Sequence, residues 1–143
     1  MEDHRGSFQL MADKQDVTGV WYGRYAGFFY GSDNSFIAVL EETGGSFGGT
    51  ITEPDDSGIA DIRRAYVLGG RTGSAVRFSK QYDGGSGWDH EILYAGTIDA
   101  EGTVISGRWN HEGFGAGFTM QREKFSAAEL EAEEEAELEV PVR

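Results

Sequence analysis

From residue 17 to residue 122, apolar and polar positions alternate in short runs, each broken by glycine or another turn former. A period of two puts successive side chains on opposite faces of an extended chain, so each run predicts a half-buried strand. The clearest example spans 99–122, where Ile105, Gly107 and Trp109 share one face of a strand over 103–110. Phe118 and Met120 share one face of the next strand, over 116–122, and the glycine loop between them predicts a hairpin.

The same grammar recurs from the start of the pattern. A strand over 18–26 carries Gly19, Trp21, Gly23 and Tyr25 on one face. One over 34–42 turns Phe36, Ala38 and Leu40 inward, and Gly44-Gly45 joins it to a third over 46–53, with Phe47, Gly49 and Ile51 inward. After a turn-rich loop at 54–58 comes a strand over 59–68, whose alternation is muddied by Arg63-Arg64 so that either face could be inward. Gly69 to Gly73 is expected to turn the chain. A strand over 75–82 then groups Val76, Phe78, Lys80 and Tyr82, and one over 89–98 groups His90, Ile92, Tyr94, Gly96 and Ile98.

This makes eight strands with short connections. Parallel pairing needs a crossover of about a dozen residues, so sequential antiparallel pairing is expected. A sandwich and an up-and-down barrel both satisfy that. The barrel is preferred because inward glycines at 23, 49, 96 and 107 permit coiling and closure removes exposed edges. The expected fold is therefore all-β, an eight-stranded antiparallel up-and-down β-barrel over 17–122 with a C-terminal acidic helical tail. Residues 1–16 are a flexible lead-in, with Phe8 to Met11 as a plug or turn in the alternative.

The tail over 123–143 breaks the pattern. Ser126 followed by Glu129 is a capping-box signature, and good helix formers follow. Eight acidic and two basic side chains make the tail −6 of the chain's −13. The contiguous Glu133 to Glu135 weaken an isolated helix, so a solvated or frayed helical tail, an acidic arm for a basic partner, and a lid or oligomer contact through its leucines all stay open. The net charge of −13 argues against nucleic acid and anionic membrane surfaces as partners. No cysteine is present, which excludes disulfides and thiolate metal sites. No apolar run approaches the roughly 20 residues needed to span a bilayer. Without a secretory signal pattern at the N-terminus, a cytoplasmic location is expected.

Thr18-Gly-Val-Trp-Tyr-Gly and the later Ile105-Ser-Gly-Arg-Trp resemble the calycin-type barrels, which include lipocalins, avidins and fatty-acid-binding proteins. The resemblance covers residues 17–122 as a pattern. It implies an eight-stranded meander whose interior holds a small, mostly apolar ligand, with Trp21 packing at one barrel end.

Lys80 is the foremost candidate for chemistry, because its phase with Val76, Phe78 and Tyr82 points a charge inward. A buried ammonium is costly unless paired. It could anchor a ligand carboxylate or phosphate with Tyr82 donating a hydrogen bond, form an internal ion pair with Glu53, or snorkel at a barrel rim. Tyr25, Tyr94, Trp109 and Phe36 would line the same interior, with His90 at its rim. Trp88 could be an exposed contact or cap the mouth, and Phe28-Phe29-Tyr30 could form a ligand mouth or a subunit contact.

His4, His90 and His111 show no metal-ligand spacing, and no nucleophile elbow, phosphate loop or dinucleotide fingerprint is present. No catalytic residue, metal or cofactor is therefore expected; an isomerase or cyclase using Lys80 or His90 is the weakest alternative. The leading function is non-catalytic binding of a small apolar or amphipathic molecule inside the barrel. The alternative is a structural or protein-interaction module with a filled barrel, acting through surface aromatics or the tail, and homo-oligomerisation is open to both.

Overall fold

In the computed structural model of the protein, the described residues are 13–27, 33–54, 62–83 and 91–123. The expected features at 8–11 and 28–30, at Trp88 and His90, and in the tail beyond residue 123 lie outside them.

The described residues form eight strands: β1 (Gly19–Ala26), β2 (Asp33–Thr43), β3 (Ser46–Pro54), β4 (Ile62–Thr72), β5 (Ala75–Tyr82), β6 (Glu91–Ile98), β7 (Val104–His111) and β8 (Phe114–Gln121). Each pairs antiparallel with the next, and β8 returns to β1 to close the barrel. Closure leaves no unpaired sheet edge.

Most boundaries shift by at most a residue, and two differ in kind. β4 does not end at Leu68 but runs on to Thr72, with Gly69 opposite both Phe47 and Phe78. A Cβ on Gly69 would lie 2.4 Å from the Arg77 carbonyl oxygen and 2.5 Å from the Phe78 Cβ. This glycine therefore marks close approach of neighbouring strands rather than a turn. The loop expected between β7 and β8 shrinks to Glu112-Gly113, with φ of 52° and 89°, so β8 begins at Phe114 and not Ala116. Two successive positive φ values are what a two-residue hairpin turn of type I′ requires.

The ambiguous face of β4 is resolved. Ala65 and Val67 are buried while Tyr66 and Leu68 are exposed, which puts Arg63 and Arg71 in the inward phase near opposite ends of the strand. Elsewhere the inward faces are those the alternation gives. Phe78 stacks on Tyr94 at 4.6 Å and 7°, and Phe118 meets Tyr94 edge-on at 5.0 Å, joining β5, β6 and β8 across the interior.

One barrel end is closed by cations. Trp21 is fully buried, donates its indole N–H to the Val17 carbonyl, and lies under the Arg122 guanidinium at 4.3 Å. Arg122 also donates to the carbonyls of Gly102, Thr18 and Asp16. Arg71 binds Glu42 through two of its nitrogens and also reaches Asp13 and the Gly73 carbonyl. Residues 13–16 lie against this end, Gln15 donating to the carbonyls of Ile98 and Asp99.

Candidate functional site

The other end of the barrel is organised around Glu53. The β3–β4 register puts Glu53 opposite Arg63, and the closed interior brings Lys80 and Tyr82 from β5 and Tyr25 from β1 to the same carboxylate. One carboxylate oxygen accepts from the Tyr25 hydroxyl at 2.8 Å, the Tyr82 hydroxyl at 2.7 Å and Arg63 Nη2 at 2.7 Å. The other accepts from Lys80 Nζ at 3.3 Å.

Lys80 is fully buried, so the rim position open to it in the sequence is corrected. Its ammonium sits 4.5 Å from the Tyr25 ring centroid, 4.8 Å from that of Tyr82 and 5.3 Å from that of Tyr94. Ring faces are negative, so these three rings solvate a cation that water cannot reach. Arg63 lies over the Tyr82 ring at 4.7 Å, and its Nε is buried without a hydrogen-bond partner.

The electrostatics follow from this crowding. Burial pulls the Lys80 ammonium down to about 8, against the opposing pull of Glu53. Burial would push the Glu53 carboxyl up, but Lys80, the hydroxyls of Tyr82 and Tyr25, and Arg63 together hold it below the usual carboxylate range. Burial, followed by the charge of Glu53, pushes the Tyr25 and Tyr82 phenols well up. At neutral pH the cluster is therefore an ionised acid, two cations and two neutral hydroxyls.

Of the residues singled out from sequence, Lys80, Tyr82, Tyr25 and Tyr94 meet in this cluster. Trp109 packs edge-on against Tyr25 at 6.4 Å and donates its indole N–H to the Ala26 carbonyl. Phe36 adjoins Tyr25 at 6.1 Å. His90 lies outside the described residues. Arg63 is the member that sequence reasoning missed; the signal was its shared phase with the small apolar pair Ala65 and Val67. Among the described residues no group of three His, Asp or Glu is placed to hold a metal ion, and no helix is long and apolar enough to cross a membrane.

No family model matches the sequence, and no curated protein does. Among solved structures, the chain is similar to a redesigned β-barrel, with TM-score 0.64 at 10% identity over 78% of this chain and 96% of that one. It is also similar to a de novo designed fluorescence-activating β-barrel, with TM-score 0.56 at 14% identity over 79% of this chain and all of that one. Both likenesses concern the fold: an eight-stranded antiparallel barrel of the kind seen in designed proteins.

Proposed function

We propose that the protein is a calycin-like barrel that binds a small amphipathic molecule, without chemistry, at the Glu53 end of its interior. The ligand's polar end carries a carboxylate or an equivalent anionic group. The observation that carries this reading is an imbalance of charge: Lys80 and Arg63 share one carboxylate, and Arg63 Nε has no acceptor. Of the Glu53 oxygens, one already accepts three hydrogen bonds and the other accepts from Lys80. Lys80 and Arg63 keep donors to spare in a site whose formal charge is +1 within a chain of −13. A ligand oxyanion supplies the missing acceptor, and charge-assisted bonds to it are the stronger kind. Phe36, Trp109 and Tyr94 are the buried rings beside the cluster, and the apolar part of the ligand would pack against them as they shift to admit it.

The test compares a straight-chain carboxylate with the alcohol of equal length by calorimetry, after native mass spectrometry of the gently purified protein. The carboxylate should bind about tenfold or more tightly than the alcohol. Its affinity should fall as pH rises past about 8, where Lys80 gives up its proton while Arg63 keeps its charge, Glu53 stays ionised and Tyr25, Tyr82 and Tyr94 stay neutral. Arg63→Gln, at a half-exposed side chain, should weaken the carboxylate selectively. Equal affinity for acid and alcohol, or bare protein that binds neither, refutes the proposal. Bare protein would favour the second reading, a filled barrel acting through its surface, for which the packed rings of Phe47, Phe78, Tyr94 and Phe118 argue.

A further inference from the structure

Lys80 is a primary amine held out of water. Its Nζ has Glu53 Oε2 at 3.3 Å, and the ring centroids of Tyr25, Tyr82 and Tyr94 stand at 4.5, 4.8 and 5.3 Å. Stability does not account for this placement, since apolar side chains often replace a buried ion pair at no loss. Nor does Glu53 need it as a counterion, because Arg63 already serves. What the arrangement adds is an amine in apolar surroundings, the setting in which a lysine becomes a nucleophile.

The amine is one layer of side chains from solvent. The Lys80 and Glu53 side chains are 0% and 1% exposed, but Arg63, bonded to the same carboxylate, is 40% exposed. Tyr25 and Tyr82 are half-buried. A small molecule therefore reaches Nζ when the Arg63 side chain and the phenol rings shift, with the strands left paired.

We propose that Lys80 captures small apolar aldehydes as a covalent imine, with Glu53 as the counterion. The Nζ lone pair attacks the carbonyl carbon, and the carbon–oxygen π pair moves onto oxygen. Nitrogen then forms a double bond to that carbon as the carbon–oxygen bond breaks. Counted from the ammonium, Nζ gives up two protons, which leave with the carbonyl oxygen as one water molecule, and keeps the third as an iminium. Glu53 Oε2 is the neighbouring acceptor through which those protons pass. The charge at nitrogen is unchanged, so the iminium inherits the carboxylate and the three rings that now hold the ammonium. An enclosure that keeps water out also slows the reverse hydrolysis. This goes beyond the anion-binding reading and does not rest on it, because an aldehyde with no anionic group suffices.

The chain has three lysines, Lys14, Lys80 and Lys124, so peptide mapping locates the bond. The folded full chain is treated with butanal and sodium cyanoborohydride, which reduces the iminium to a stable secondary amine, and mass spectrometry reads the adduct. Lys80 should be modified about tenfold or more faster than Lys14, whose side chain is 67% exposed. Its rate should climb as pH rises toward about 8, where Nζ loses its proton while Arg63 stays charged, Glu53 ionised and the three phenols neutral. Lys80→Met should lose that adduct alone, with Lys14 labelling and near-UV circular dichroism as in the wild type. Labelling of the wild type confined to Lys14, Lys124 and the N-terminal amine overturns the proposal. So does a Lys80 adduct that forms only when urea is added, because unfolding then exposes the amine. Calorimetry with the straight-chain carboxylate keeps the two readings apart. An adduct without carboxylate binding supports the imine and sinks the anion site, and carboxylate binding without a Lys80 adduct does the reverse.

Discussion

Lys80 and Glu53 show how a strand's alternation can bury charge and still fold. Glu53→Gln removes the anion beneath Lys80, Arg63 and two hydroxyls, and we expect it to cost about 3–5 kcal/mol in urea denaturation. Lys80→Met should cost less, because Glu53 keeps Arg63 and both tyrosines. The double variant Glu53→Gln/Lys80→Met should be more stable than the two single costs predict, with a coupling of about 1–3 kcal/mol. Additive costs would mean that the two groups do not act as a pair.

The pH dependence of stability has a defined sign for each group. Glu53 has a folded pKa below its unfolded one, so its contribution is present above the unfolded value of about 4.3 and lost as pH falls through the folded value. Tyr25 and Tyr82 have raised folded values, so their contribution is present below about pH 10 and lost above it. Lys80 works the other way between about 8 and the unfolded lysine value near 10.4, where its native state holds fewer protons and stability gains with pH. Denaturation of Glu53→Gln across pH should show a flatter acid limb than wild type. Phase alone brought Lys80, Tyr82, Tyr25, Tyr94, Trp109 and Phe36 to the interior. Which carboxylate they share is a matter of distance across the barrel, which local pattern does not encode.

At the scale of elements, β4 is the instructive strand. Its two arginines blur the alternation and its two glycines imitate a turn, yet it is among the longest strands in the barrel. Gly69 sits where Phe47, Arg77 and Phe78 crowd in from both neighbouring strands. Gly69→Val should therefore destabilise the protein by about 1–3 kcal/mol or more, against the usual strand preference for valine. The same change at Gly73, a turn position with φ 61° and no atom within 4 Å of where a Cβ would stand, strains the backbone without a clash. Comparing the two midpoints separates close approach from turn conformation, and a neutral Gly69→Val would remove the close-approach account. Arg63 and Arg71 became legible only after pairing fixed the face of β4, because a charged side chain near a strand end fits either phase.

For the whole molecule, closure and charge act against each other. Eight strands remove every edge, while −13 charges repel across a small surface. Raising salt from about 0.01 M to about 1 M shortens the screening length from about 30 Å to 3 Å, which should raise the melting temperature by several degrees. The enclosed Lys80–Glu53 pair is shielded from ions and should contribute little to that response; a melting temperature that falls with salt would point to surface pairs such as Arg24–Asp33 instead. The sequence by itself determined the strand count, the sequential antiparallel order and nearly every inward face, because these depend on a period of two and on short connections. Only the tertiary structure decided where β4 ends and which of its faces points in. It also decided that Lys80, Arg63 and two tyrosines converge on Glu53. Those are contacts between residues far apart in the chain, and their distances are set by the closing of the barrel rather than by any local run of residues.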